Sequence, residues 1–251
     1  MPEMINNRDC AWLADTRARW PRAWRLLCGL LLVALLAACA QTRHVRPANV
    51  RADAALGRGA EILVVEPDVE ISELLASGLQ EVRADWTAAA RTHVANAINE
   101  RLAARGADAR RFEYAEDARQ ADQQRQVVML HEAVGQSVLL HRYLGVLLPS
   151  KGEVFDWTLG QQARVLDPTA RYALFVYLRD SHASAGRKAM LALSLIGVGV
   201  SLGQQIGFAS LVDLNDGRLV WFNLLSSPSG DLRTPAAARE AIDLLLDGAP
   251  L

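Results

Sequence analysis

The chain has 251 residues, with 27 basic and 28 acidic side chains, a formal charge of −1 and 51% hydrophobic residues. No basic cluster stands out from that near-neutral balance, which excludes a charge-driven nucleic-acid binder. Only three cysteines are present, too few for a disulfide-dense scaffold.

The N-terminal region reads first as an address. Arg8, Arg17, Arg19, Arg22 and Arg25 precede an apolar run from Leu26 to Ala38, the order of a basic n-region, an h-region and small residues. A spanning helix takes about 20 apolar residues, more than this run offers. Leu36-Ala37-Ala38-Cys39 resembles the lipobox of bacterial lipoproteins. The resemblance implies cleavage between Ala38 and Cys39, a thioether-linked diacylglycerol and an N-acyl group on Cys39, and anchoring by buried methylenes. A plain secretory signal and a buried amphipathic helix are the alternatives. Ala40 and Gln41 stand where a retention aspartate would sit, so the expected location is the periplasmic face of the outer membrane.

Removal of residues 1–38 leaves 213 residues with a formal charge of −3 and Cys39 as the sole cysteine. Cys10 and Cys28 leave with the signal, so neither a disulfide framework nor a thiolate zinc site is available. Residues 39–58 read as lipidated cysteine and flexible tether, polar and without periodicity. Residues 59–251 are expected to form a single compact α/β domain.

Within that domain, the unbroken run Ile62 to Val65 predicts a strand buried on both faces, closed by Pro67. Asp68 to Leu75 alternates like a short strand, and Gly78 marks a turn. Asp85 is the expected N-cap of a helix with Trp86, Ala90, Val94, Ala97, Ile98 and Leu102 along one side and Gly106 as its stop. Ala109 to Tyr114 predicts a second strand. A long helix is expected from Ala118 to Leu148, with Val127, Leu130, Val134, Val138 and Leu144 inward. Asp156 predicts the start of a further helix ended by Pro168. Arg171 to Asp180, rich in β-branched and aromatic residues, is the strongest strand. Asn215-Asp216-Gly217 between two apolar runs predicts a β-hairpin. Thr234, Pro235 and Gly248 frame a closing helix. The order predicts a mixed β-sheet flanked by helices.

"YALFVYLRDSHASAGRKA" followed by "GFASLVDLNDGRLVWFN" resembles proteobacterial periplasmic and outer-membrane lipoproteins. That group has the fold of the TolB amino-terminal domain and of the curli secretion-channel lipoprotein. "EILVVEPDV", "DWTLG" and the terminal helix fall in the matching order. The resemblance implies a role in envelope assembly, export or its regulation through contacts with an envelope protein, with no catalytic residues to carry over and no cofactor.

Candidate sites are few. His131 and His141 lie about 80° apart on a helix and about 15 Å along it, too far for one metal ion. Asp180, Ser181, His182 and Ser184 are the residue types of a hydrolase, but neighbours in sequence rarely form a nucleophile–base pair. Convergence of Asp180 and His182 with a distant carboxylate would favour the rival reading, an envelope hydrolase acting on peptidoglycan or lipid. The glycines of "GVGVSLGQQIG" lack the lysine of a phosphate loop. Gly199, Gly203 and Gly207 are spaced four apart in an uncharged stretch from Ala189 to Val212, the pattern of closely packed helices. Three readings apply to it: a core-packed helix with a glycine-rich turn, an exposed element of a homo-oligomer, or a membrane span.

Overall fold

In the computed structural model the described residues are 41–45, 61–152, 154–193, 202–228 and 230–251, with 41–45 and 191–193 described by backbone alone. Cys39, the segment 1–38 read as a signal, and Gly199 lie outside them. The expected mixed sheet between helices is present: eight strands in the order β1-β8-β7-β6-β2-β5, with β3 beside β6 and β4 beside β3.

The centre is β6 (Tyr172–Ala183). Its first half pairs in parallel with β2 (Glu61–Val64) and its second half with β3 (Asp68–Leu74). Val65 to Pro67 make the step between them, so two consecutive strands share one neighbour. Beyond β2 lies β5 (Asp108–Arg111), also parallel, and beyond β3 the short β4 (Gln80–Val82). On its other side β6 meets the hairpin of β7 (Gly203–Asp213) and β8 (Leu219–Ser227), all antiparallel.

Residues 41–45, read from sequence as tether, instead form β1 (Gln41–Val45) against β8. A polar segment without periodicity can still complete a ladder, because edge pairing draws on backbone groups rather than side chains.

Alternation along the strands sorts the core into two layers. Ile62, Ile71, Leu174, Leu178, Leu211 and Trp221 face α1 (Ala84–Ala104) and α4 (Pro235–Leu245). Leu63, Ala173, Phe175, Phe208 and Phe222 face α2 (Ala118–Val138). β2 is covered on both faces, as its unbroken apolar run predicted.

The helices differ from expectation in their ends. α1 buries Ala90, Val94, Ala97, Ile98 and Leu102 as predicted, but its N-cap is Arg83 rather than Asp85. The Arg83 N–H still donates to Ile71 O (2.9 Å) while its carbonyl accepts from Thr87, so the helix starts as the chain leaves β4. Asp85 lies in the first turn, 3.5 Å from Arg83 Nε. For α2, Asp117 caps Gln120 N (2.9 Å), and the buried line is Ala121, Gln124, Val127, His131, Gly135 and Val138. Gly135 sets that line, since any side chain there would meet the ring of Phe208. The helix does not reach Leu148: it widens into a π turn at Leu139–Tyr143, and the chain departs through Gly145 at φ +74°. Leu144 is 66% exposed.

Asp156 caps no helix. Trp157 to Leu159 run extended along the hairpin, with Leu219 N donating to Trp157 O (3.0 Å) and Leu159 N to Gly217 O (2.8 Å). Gly160 at φ +74° then opens a short 3-10 turn, Gln161–Val165. Trp157 and Leu159 both bury against the sheet this way, which a helix at that spacing would prevent. α4 starts as read, with Thr234 accepting from Ala237 N and Pro235 in the first turn, and Gly248 follows at φ +67°.

Candidate functional site

β6 does not end at Asp180 but continues in register with β7 through His182 and with β3 through Ala183. Asp180, Ser181 and His182 therefore sit on a strand, on alternating faces, and Ser184 lies just past its end. Asp180 and His182 point to the α1/α4 face. Ser181 points to the other, where its hydroxyl accepts from Gln204 N (3.0 Å) and donates to Gln204 O (3.2 Å).

On the α1/α4 face a charged cluster forms. The Asp180 side chain is 1% exposed. Its Oδ2 accepts from Leu232 N (3.0 Å) and lies 3.1 Å from His182 Nε2. Asp231 Oδ1 stands 3.7 Å from the same imidazole nitrogen. Arg233 holds Asp231 in a fork, Nε to Oδ1 at 2.6 Å and Nη2 to Oδ2 at 2.8 Å. That hydrogen bonding by Arg233 keeps the Asp231 carboxyl below the usual carboxylate range, against the opposing effect of burial. Arg233 also lies over the half-buried ring of Trp86 at 4.7 Å, and Arg83 over the same ring at 4.3 Å. His182 meets Trp86 edge to face, with 6.2 Å between ring centres. Arg83 in turn donates to Glu73 at 2.7 Å.

The convergence named as the mark of an enzyme is thus met in part: Asp180, His182 and the distant Asp231 come together. No hydroxyl joins them among the described residues. Ser181 faces away, and Ser184 Oγ accepts from Arg187 N (3.2 Å) at the start of α3 (Ala185–Leu193). What the cluster does chemically is orient an imidazole between two carboxylates and fasten the segment after β8 to the end of β6. Asp180 Oδ1 and Gln205 Nε2, on cross-strand partner residues, are buried without a hydrogen-bond partner. The roles of Trp86, Asp231 and Arg233 were not visible in sequence: Trp86 lies about 100 residues before His182, and the neighbouring Asp231 and Arg233 about 50 after it, in no recognisable spacing.

The histidines behave separately. His131 is buried against Phe175, its ring 3.9 Å away and stacked, with Nε2 2.6 Å from Ser210 Oγ. Burial lowers its pKa to about 3. His141 is part-exposed on the π turn, Nδ1 2.8 Å from Val146 O. Among the described residues no group of three or more acidic, histidine or cysteine side chains is placed to hold a metal ion.

Gly203 and Gly207 are strand residues of β7, so their spacing is not that of a packed helix. A Cβ at Gly203 would run into the carbonyl of Ser181, and one at Gly207 into Tyr177 O and Leu178. They let β7 lie close on β6. The uncharged stretch is divided instead between α3, an interval outside the described residues, and β7. Ala189 and Met190 on α3 are exposed, against the core-packed reading of that part. No helix among the described residues is long and apolar enough to cross a membrane.

Fold and site together define an α/β domain with one charged, aromatic-lined strand end. No family profile matches the chain, and neither does any curated protein. Among solved structures it is similar to two PelC dodecamers from Paraburkholderia phytofirmans, one of them a point variant. Identities are 16% for the variant and 14% for the other, each with a TM-score of 0.33 over 83% of this chain and 96% of the PelC chain.

Proposed function

We propose that the chain is a lipoprotein of the outer membrane, anchored through Cys39 on the periplasmic face. It serves envelope assembly or export by contact with other envelope proteins or with its own copies, and not by catalysis. The observation that carries this reading is Leu36-Ala37-Ala38-Cys39 at the end of a short apolar run behind five arginines. Cys39→Ser tests it in cells fed a labelled fatty acid. The expected result is loss of label, with precursor left uncut or protein released from the membrane; unchanged label, or label that follows Cys28, overturns it. Cross-linking in membranes then separates self-association from capture of another protein.

The meeting of Asp180, His182 and Asp231 favours a second reading, a hydrolase of peptidoglycan or lipid. His182→Ala decides between them. Under the first reading neither substrate is cleaved by the native chain, and under the second a cleavage appears that His182→Ala removes.

A further inference from the structure

Between α2 and β6 the chain makes an exposed apolar surface that the fold does not use. Leu140, Leu144, Val146, Leu147 and Val154 are all large, hydrophobic and in water; Leu147 is 91% exposed and Val154 70%. Leu147 and Val154 line a cavity of about 290 Å³ together with Leu148, Phe155 and Trp157. Its rim is cationic. Arg142, Lys151 and His141 line it, and the ring of His141 lies nearly parallel to Trp157 at 6.4 Å. Lys151 Nζ rests 5.1 Å from the centre of the Trp157 ring and 3.2 Å from Asp156 Oδ1, the carboxylate beside it.

The location of this surface selects its occupant. Tyr143 and Phe155 pack on Phe222 of β8, at 5.9 and 6.4 Å between ring centres. The next strand beyond β8 is β1, whose Val45 pairs with Phe222 and whose Gln41 pairs with Ser226. Four residues of strand span roughly 13 Å, and the two residues from Gln41 back to Cys39 add at most about 7 Å. The anchored cysteine therefore reaches no further than about 20 Å from the part of β8 on which the surface is built. Because β1 is hydrogen-bonded into the sheet, the anchor is joined to a fixed edge and not to a free tether.

We infer that the surface carrying Leu140, Leu144, Val146, Leu147 and Val154 seats on the lipid bilayer that holds the anchor, with these leucines and valines among the acyl chains and Arg142 and Lys151 at anionic phospholipid headgroups. Apolar side chains flanked by long cationic ones are what an interfacial element needs, and each basic residue near an anionic surface adds attraction. The inference rests on the proposed anchoring through Cys39.

The test uses the processed, lipidated chain, in which Cys39 is a thioether and the only thiol is the one introduced. An environment-sensitive fluorophore on Leu147→Cys, in vesicles of phosphatidylethanolamine and phosphatidylglycerol, is expected to emit to the blue and to be quenched by brominated acyl chains. The same label on Leu79→Cys, exposed on the far side of β6 next to β4, is expected to do neither. A water-like signal at 147, or equal quenching at both positions, overturns the inference. So does a blue emission that appears without lipid in oligomers of the Cys39→Ser chain, since a protein would then cover the surface. Should fatty-acid label fail to attach at Cys39, the anchoring falls on its own evidence. Flotation of the unlipidated chain on the same vesicles then reads the surface directly. Leu144→Asp with Leu147→Asp should weaken it at least tenfold without lowering the melting temperature, and no flotation of the parent chain overturns the inference.

Discussion

His131 makes the core sensitive to mild acid. Its ring is buried, stacked on Phe175 and bonded to Ser210, and burial holds its pKa at about 3 against an ordinary 6.5. The folded domain therefore binds no proton there at pH 5, whereas the unfolded chain does. Stability from the neutral ring is present in full above pH 6.5 and is lost as pH falls from there toward 3. One pKa unit corresponds to 1.36 kcal/mol, so lowering the pH from 7 to 5 should cost about 2 kcal/mol. For a domain of this size that is about 4 to 8 °C in Tm. Thermal unfolding of the Cys39→Ser chain at pH 7, 6 and 5 measures it, with His131→Gln as reference. The variant is expected to start less stable and to lose less on acidification, because it has nothing to protonate at that position. A parent Tm flat across this range, or a slope that survives in His131→Gln, refutes the assignment of acid sensitivity to this ring.

Three further outcomes follow from backbone and caps. Gly217 has φ +75° and lies against the carbonyl of Gly160; Gly217→Val meets both an αL penalty of about 1 kcal/mol or more and a clash, so Tm should fall measurably. Gly203→Leu pushes a side chain into the Ser181 carbonyl and should cost about 1 to 3 kcal/mol by overpacking; unchanged stability in urea would mean β7 begins elsewhere. Asp117→Ala removes the cap on Gln120 N and should cost about 1 kcal/mol, read as a shift in urea midpoint at constant m.

The sequence disclosed most where one physical demand acts alone. Ile62 to Val65 had to be buried on both faces, and Asn215-Asp216-Gly217 had to turn, so both are found in place. It disclosed least where tertiary contact overrides local pattern. Trp157 and Leu159 have helical neighbours in sequence, but burial against the hairpin draws them straight. Gly203 and Gly207 carry a spacing of four that suits a helix, yet at two-residue periodicity the same spacing puts both on one face of a strand. The charged cluster was half legible: Asp180 and His182 stood out by type, while Asp231 and Trp86 reach them only through the end of β8 and the start of α1. The five-residue strand β1 left no mark, because nothing in its side chains is needed for it to pair.

The step from β2 to β3 along β6 fixes when this domain can fold. Asp68 meets Arg179 across 111 residues, and β2 also has no central partner until β6 exists. A chain delivered N-terminus first must therefore hold two strands open while most of its length is still arriving. Contacts this distant in sequence slow closure, and unpaired apolar strands are exposed to aggregation meanwhile. Speed of delivery and protection by a holdase, more than final stability, should then govern how much folded protein accumulates.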